Sequence, residues 1–368
     1  MNDSNILLLA GRFEVRGSSA YTLRLARHLE ERGFTIRVVC ADAGAVPAAQ
    51  RAQLPIQEYG YLDVPVCGRI VREFLVRELS NDVPDLIHIQ SRSMLSCGTQ
   101  LARRLQVPYL LTVHDYLEAR ERMRLDAIWG RRVIAVSDSV KSELLTRTAL
   151  PEKSVNVIQS GVDVPEATDA PPILDPGRLP VVGTATPLEE RKGVPFFLQA
   201  AQKVLETHSG VEFLVSGTGP DEGYLRGLAH ELGITEKVTF VTKLFDYSTS
   251  LNAIDIFCLP SLQQGLGTIM FEAMALGKPV IASAVGGVNS VIRDEQNGLV
   301  VPPSDSGRLA ERIVELLDDP VRARAIGDAG RRMIQNDFNV DRMVTETAEL
   351  YEEILEAERA EHHETAHS

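Results

Sequence analysis

Short runs of Val, Ile and Leu alternate with amphipathic helix patterns along almost the whole chain, and this alternation limits the possible fold more than any other sequence feature. Each run spans only a few residues, which is typical of strands buried on both faces of a parallel sheet. The runs lie at residues 6–10, 36–40, 86–89, 109–113, 133–136, 155–158, 181–183, 213–216, 238–241, 256–259 and 280–282. Helix patterns lie between them, for example at 19–32, 192–206 and 222–232. The alternation predicts an α/β fold with doubly wound parallel sheets.

A proline-rich stretch at residues 165–180, with few large apolar side chains, divides this pattern into two parts. Such a stretch is typical of an interdomain linker, and 368 residues are about twice what one ordinary domain holds. The expected organisation is a Rossmann-like domain at 1–164, a linker at 165–180, a second Rossmann-like domain at 181–337, a helix at 338–356 and a flexible tail at 357–368. Ligands of such sheets bind beyond the carboxyl ends of the strands, so function is expected in the strand-to-helix loops.

Composition excludes several classes of protein. Hydrophobic residues make up 44% of the chain, and no run reaches the roughly 18 apolar residues of a membrane span. The four cysteines lie far apart without a CxxC pair, so we expect a reduced, cytoplasmic protein without a metal site. Residues 1–165 hold 21 Lys and Arg against 19 Asp and Glu, whereas residues 166–368 hold 17 against 32. An acidic second half argues against a general nucleic-acid binder, while the first half could bind an anionic partner.

The most informative loop follows the run that ends at Leu259. It contains Gly265 and Gly267, and a helix is predicted to begin near Thr268. Free amides in the first turn, together with the helix dipole, would hold a diphosphate. These amides belong to Thr268, Ile269 and Met270. Glu272, expected in the first helical turn, could accept two ribose hydroxyls; the alternative is that it only complements the helix dipole.

Two further loops of the second half could bind phosphates. Arg191 and Lys192 could neutralise a departing diphosphate where no metal does so, or they could be a solvated pair. No Asp-rich metal motif lies near. The loop at 217–223 could serve a dinucleotide, which leaves a nicotinamide-dependent oxidoreductase as an alternative, but it does not follow the first strand of a domain.

In the first half, His114 follows the run at 109–113. It could hydrogen-bond a substrate or stabilise developing charge, or it could be a structural histidine. Residues 16–19 form a second loop that would tolerate an anion, and Ser18 or Ser19 could equally be an N-cap.

Taken in order, these motifs resemble those of the retaining glycosyltransferases of family 4, which have the GT-B fold of two facing Rossmann-like domains with a cleft between them. The matching segments are the Gly17 loop, 85–88, 112–114, 134–137, 160–163, 192–193, 217–220, 259–261, 265–277, 286–287 and 297–302. The resemblance implies a nucleoside-diphosphate-sugar donor held by the second domain and a glycan or lipid-linked acceptor held by the first. It also implies transfer with retention of anomeric configuration, without a metal or a cofactor.

Carried over residue by residue, the resemblance assigns roles to several side chains. Glu272 would bind the ribose, and His114 would lie near the donor sugar. Gly17 would let the backbone approach the donor phosphate, and the last helix would cross back onto the first domain. The implied donor-binding set is Gly17, Arg191, Lys192, Gly265, Gly267, Thr268, Ile269 and Glu272, and the implied catalytic set is His114, Gln264 and Lys192.

The chain departs from the family pattern at several positions. Gln264 replaces the first of two glutamates spaced eight positions apart, and Arg16, Ser160 and Ser290 replace the family's Gly, Asn and Glu. Glutamine can still hydrogen-bond a sugar hydroxyl, but it carries no negative charge. A degenerate relative that binds a nucleotide sugar or a partner without catalysis is therefore the alternative function.

Arginines are concentrated in two segments of the first half: Arg69, Arg72 and Arg77, and Arg120, Arg122, Arg124, Arg131 and Arg132. They predict contact with an anionic acceptor or with an anionic membrane surface, at the inner face of a membrane. The alternative is that neighbouring glutamates neutralise them as i,i+3 or i,i+4 pairs.

Overall fold

The computed structural model describes residues 4–14, 17–64, 67–166, 172–242 and 247–366, without the side chains of 67 and 362–366. Arg16, part of the predicted linker and the last two residues of the predicted tail lie outside this range. Contacts group the chain into two compact units. Unit 1 comprises Met1–Glu14, Ser18–Ser160 and Val340–Ser368, and unit 2 comprises Val15–Gly17 and Gly161–Asn339.

Unit 1 is built on a sheet of seven parallel strands in the order β3-β2-β1-β4-β5-β6-β7. The strands are β1 (Asn5–Leu9), β2 (Thr35–Cys40), β3 (Ile56–Glu58), β4 (Leu86–Ile89), β5 (Tyr109–Val113), β6 (Gly130–Ala135) and β7 (Val155–Val157). In β1, Leu8 lies opposite Val38 on one side and His88 on the other. Every residue of β4 and β5 is buried, because helices cover both faces of a parallel sheet.

The helices of unit 1 include a long segment from the end of the chain. They are α1 (Gly17–Glu30), α2 (Ala48–Arg51), α3 (Cys67–Leu79), α4 (Leu95–Leu105), α5 (Asp138–Arg147) and α12 (Val340–Ala366). Apolar side chains of α12, among them Val344 and Tyr351, belong to the same buried cluster as Leu8 and Leu25. The hydroxyl of Tyr351 also contacts Nδ1 of the buried His88. The C-terminal helix therefore completes the core of unit 1.

Unit 2 holds six parallel strands in the order β10-β9-β8-β11-β12-β13. They are β8 (Val181–Ala185), β9 (Glu212–Ser216), β10 (Val238–Val241), β11 (Ile256–Leu259), β12 (Val280–Ser283) and β13 (Leu299–Val301). The helices are α6 (Val194–Leu205), α7 (Glu222–Glu231), α8 (Ser248–Ala253), α9 (Thr268–Ala275), α10 (Ser306–Asp318) and α11 (Pro320–Asp337). The parallel, Rossmann-like architecture predicted for both halves is confirmed.

Two features differ from the sequence-based expectation. The edge strands β3 and β13, each three residues long, were not predicted. The segment predicted as a flexible tail from residue 357 is helical, since α12 continues to Ala366. Its Ala- and Glu-rich sequence favours a helix, and the nearly buried Glu358 pairs with Arg131 of β6.

None of the helices in the described part of the chain combines the length and the apolarity that crossing a membrane requires.

Candidate functional site

The strand order of unit 2 reverses between β8 and β11. From β8 the chain proceeds to β9 and β10 on one side, and from β11 it proceeds to β12 and β13 on the other. The two loops that follow β8 and β11 therefore diverge, and the crevice between such loops is the general ligand site of open α/β sheets. These two loops contain Lys192 and the glycine-rich segment before Thr268.

Backbone contacts hold the two loops against each other. The amides of Leu262 and Gln263 both donate to the carbonyl oxygen of Arg191, at 2.9 and 3.3 Å. Gly193 has a φ of +66°, and a Cβ there would lie 2.0 Å from the carbonyl oxygen of Pro260. Only glycine permits both this backbone conformation and this approach.

One side-chain contact joins the loops at their centre. Nζ of Lys192 donates to Oε1 of Gln264 at 3.1 Å, and Oγ of Ser261 donates to the same oxygen at 3.2 Å. Lys192 is only 6% exposed, and Ser261 is fully buried. Because Oε1 already accepts from two donors, the amide nitrogen is the group of Gln264 that is left to donate to a ligand. Ser261 was not among the predicted site residues, although it lies in the 259–261 motif.

Helix α9 begins where the sequence predicted, but the amide of Met270 and the position of Glu272 differ from the prediction. The helix begins at Thr268, and Gly267 before it has a φ of +89°. The amide of Met270 donates to the carbonyl of Gly267 at 2.8 Å, so the prediction that it is free for a phosphate is wrong. Glu272 is the fifth residue of α9 and lies in its second turn, not its first. It is half-buried.

Glycines around this helix start allow close packing. A Cβ at Gly287 would lie 2.2 Å from the carbonyl oxygen of Gly265. Gly17, which is grouped with unit 2, faces Thr268, since a Cβ at Gly17 would lie 3.0 Å from Cβ of Thr268. The structure therefore brings Gly17, Gly265 and Thr268 into one neighbourhood.

Arg191 lies in the same loop as Lys192, but its Nε donates to Oε2 of Glu189 at 2.9 Å. Its charge is therefore partly compensated within its own loop.

Two glycines of the 217–223 loop have a packing role. A Cβ at Gly217 would lie 1.8 Å from the carbonyl oxygen of Thr186, and one at Gly219 would lie 2.2 Å from that of Leu188. This loop follows β9, which lies between β10 and β8, and its glycines pack against the loop that follows β8. Packing explains Gly217 and Gly219 without a dinucleotide, whereas nothing lies within 4 Å of a would-be Cβ at Gly223.

His114 lies in unit 1, directly after β5. Burial lowers its pKa to about 4. A hydrogen bond to the backbone of Gln90 raises the pKa by a smaller amount. The ring of Tyr21 packs edge-on against it at 4.9 Å, and its Nε2 is buried with no hydrogen-bond partner in the described residues. Near neutral pH the imidazole of His114 is therefore neutral, and it can interact with a ligand only through hydrogen bonds and its dipole.

The arginines of unit 1 pair differently from the predicted local pattern. Arg131 pairs with Glu358, and Arg132 pairs with Glu353, both on α12. Arg72 is buried and donates to the carbonyl of Gly68. Long-range contacts thus neutralise or bury part of the predicted basic surface.

Within the described ranges, no group of three or more His, Cys, Asp or Glu side chains is arranged to hold a metal ion.

Comparison with known proteins agrees with this architecture. The pattern of the family described as "Glycosyltransferase Family 4" matches residues 15–166, and that of "Glycosyl transferases group 1" matches residues 168–333. The phosphatidyl-myo-inositol mannosyltransferase of Mycobacterium leprae is 27% identical over 93% of this chain and 94% of its own. The GDP-mannose-dependent monoacylated alpha-(1-6)-phosphatidylinositol monomannoside mannosyltransferase of Corynebacterium glutamicum is 34% identical over 50% of this chain and 52% of its own.

Among solved structures, Anabaena HepE in complex with UDP-glucose superposes with a TM-score of 0.81, at 19% identity, over 95% of this chain and 99% of its own. Matches to both family patterns, together with two Rossmann-like parallel sheets, define the class. The chain belongs to the family 4 glycosyltransferases of GT-B fold.

Proposed function

We propose that the protein transfers a hexosyl residue from a nucleoside-diphosphate sugar to a glycan or lipid-linked acceptor with retention of anomeric configuration. The bond between the anomeric carbon and the diphosphate breaks as a bond to the acceptor oxygen forms on the same face. The acceptor proton passes to the departing diphosphate. The single observation that carries the proposal is the contact of Lys192 with Gln264 at the reversal of the unit 2 sheet.

Charge compensation at this reversal supports transfer without a metal or a cofactor. A departing diphosphate needs positive charge or hydrogen-bond donors at its oxygens. Lys192, the amides of Thr268 and Ile269 and, in part, Arg191 supply these donors. Glu272, half-buried on α9, accepts the ribose hydroxyls in this proposal.

Gln264 and His114 are proposed to act on the donor sugar as neutral groups. The amide nitrogen of Gln264 donates to a sugar hydroxyl while its oxygen stays bound to Lys192 and Ser261. His114 is neutral at physiological pH, and its Nε2 has no partner in the described residues, so it can accept a hydroxyl hydrogen bond.

The second candidate is a degenerate relative that binds a nucleotide sugar without transferring it. The observation that favours it is Gln264 itself, since an amide gives no electrostatic stabilisation to a positively charged, oxocarbenium-like transition state. We prefer the active enzyme because Lys192, Glu272, His114 and the glycine loops are all present.

The names of similar proteins support a choice of probes. HepE holds UDP-glucose, and the Corynebacterium glutamicum relative is named for GDP-mannose. For the acceptor side, we propose a glycan or lipid-linked molecule bound by unit 1, with transient contact of its basic surface with the inner face of a membrane.

The proposal is tested by following the sugar released when water replaces the acceptor. The protein is incubated with UDP-glucose or GDP-mannose, and the anomeric proton of the product is recorded by NMR before mutarotation. We expect the α anomer first, at a rate that excess EDTA does not change. First appearance of the β anomer would contradict retention, and loss of activity in EDTA that Mg²⁺ restores would contradict metal independence.

A further inference from the structure

Unit 1 contains a pocket of about 610 Å³ between helix α4 and the segment at residues 121–126. A volume of this size lies in the range of small-molecule sites. Five of its lining residues are arginines, and the lining contains no Asp, Glu or Lys. The five are Arg92, Arg103, Arg104, Arg122 and Arg124.

Regular structure forms one wall of the pocket. Ser96, Thr99, Gln100 and Arg103 lie on one face of α4, since their spacing is i, i+3, i+4 and i+7. Arg92 lies at the start of the short 3-10 helix that precedes α4.

The segment at residues 121–126, which is neither helix nor strand, supplies the other lining arginines. Met123 is 4% exposed, while Arg122 and Arg124 on either side of it are exposed. The amide of Asp126 donates to the hydroxyl of the buried Tyr109 at 2.7 Å, which fixes the end of the segment. The buried Met123 and the contact of Asp126 therefore anchor the segment that carries the two arginines.

Three of the five arginines have carboxylate partners, at 2.6–2.7 Å. The pairs are Arg92 with Glu121, Arg103 with Asp126, and Arg104 with Glu73. Within the part of the chain that the structure describes, Arg122 and Arg124 make no ion pair. The pocket therefore carries two uncompensated positive charges.

This charge and the residue type fit one kind of ligand. A phosphate monoester carries about −1.5 to −2 charges at pH 7 and three acceptor oxygens. The planar guanidinium binds such oxygens in pairs, which a lysine ammonium does not do. We infer that the pocket between α4 and residues 121–126 binds a phosphate group through Arg122 and Arg124, with Arg92, Arg103 and Arg104 as further hydrogen-bond donors in its lining.

The phosphate can belong to a soluble sugar phosphate or to a lipid headgroup. The inference rests on the proposed function only where that phosphate is the acceptor's, because binding itself is independent of sugar transfer. Donor breakdown in water, described above, tests the transferase separately, so the failure of one does not imply the failure of the other.

Binding is measured at low ionic strength with two pairs of probes. Calorimetry compares glucose 6-phosphate with glucose, and flotation compares phosphatidylcholine vesicles containing phosphatidic acid with vesicles lacking it. The test protein is the double variant Arg122→Gln/Arg124→Gln. The control is Arg27→Gln/Arg32→Gln, which removes the same charge from exposed positions of unit 1 outside the pocket and outside the two arginine-rich segments.

We expect the wild type to bind at least one phosphate probe, and the pocket variant to bind it at least tenfold more weakly. The control should stay within about twofold of the wild type. Binding of glucose 6-phosphate identifies a soluble ligand, and binding of the phosphatidic acid vesicles alone identifies a headgroup. No binding of either probe by the wild type overturns the inference. An equal loss in both double variants also overturns it, because net charge alone would then explain the binding.

Discussion

Lys192 and Gln264 lie 72 positions apart in the chain, and a 3.1 Å hydrogen bond from Nζ to Oε1 joins them. A glutamate at position 264 would place a negative charge against this buried ammonium. That charge would compensate Lys192 before any diphosphate arrives, and it would repel the diphosphate. The neutral glutamine adds no negative charge at this position, so it does not repel the diphosphate.

The first prediction follows from this pair. Gln264→Glu should weaken binding of the donor nucleotide by about tenfold or more, corresponding to roughly 1.4 kcal/mol. Calorimetry with UDP and GDP measures the effect. The neighbouring exposed Gln263→Glu is the matched control, since its side chain does not contact Lys192 in the described residues. An inert wild type beside an active Gln264→Glu variant would instead favour the degenerate relative.

The second prediction concerns the ribose. Glu272→Ala should reduce nucleotide affinity by about 10- to 150-fold, because a charged hydrogen-bond acceptor contributes roughly 1.5–3 kcal/mol. Glu231→Ala, at an exposed position of α7, changes the same charge away from the β8–β11 reversal and should leave affinity unchanged. Unchanged nucleotide binding in a folded Glu272→Ala protein would remove this residue from the site.

The third prediction concerns the backbone contact between the two loops. Gly193→Ala should lower the unfolding temperature and abolish nucleotide binding, because its Cβ would meet the carbonyl oxygen of Pro260 at 2.0 Å. Gly233 has nearly the same φ, +70°, but nothing lies within 4 Å of its would-be Cβ. Gly233→Ala thus carries only the conformational cost of roughly 1 kcal/mol. Equal thermal shifts for the two variants would show that the approach to Pro260 is unimportant.

The fourth prediction is a loss of stability in acid. Burial lowers the pKa of His114 to about 4 and that of His88 to about 3, both from 6.5. The unfolded chain therefore binds more protons than the folded protein, and stability present above pH 6.5 is lost as the pH falls toward 4. Each histidine contributes a slope of about 1.4 kcal/mol per pH unit in this window.

Thermal unfolding at pH 7 and pH 5 measures this effect. The decrease on acidification should be smaller in His114→Asn than in the wild type, whereas the exposed His230→Gln should match the wild type. An identical decrease in all three proteins would mean that His114 is not held neutral by burial.

Sequence periodicity predicted the two sheets because central strands of a parallel sheet are apolar on both faces, as in β4 and β11. It missed the edge strands β3 and β13, which are each only three residues long; β3 contains two polar residues, whereas β13 is wholly apolar. Local spacing placed the start of α9 at Thr268 but left Glu272 one turn too early. Since the boundary is the predicted one, the difference lies only in the count of residues: 3.6 residues complete a turn, and Glu272 is the fifth.

Side-chain partners were the least predictable feature. Local spacing suggested glutamates three or four positions from the arginines, but Arg132 pairs with Glu353 across 221 positions. The contact of Ser261 with Gln264 is local and lies in a motif visible in the sequence. The long-range pairs form only because α12 packs against β6. The sequence of either segment alone does not indicate that packing.

The central claim is that the loops after β8 and β11 bind a nucleoside-diphosphate sugar for transfer. The most direct measurement is release of the nucleoside diphosphate from a panel containing UDP-glucose and GDP-mannose, by the wild type and by Glu272→Ala. The wild type should release nucleoside diphosphate from at least one donor, and the variant should release it at least tenfold more slowly at low donor concentration. No release from any donor, with or without glycan and lipid acceptors, would contradict it.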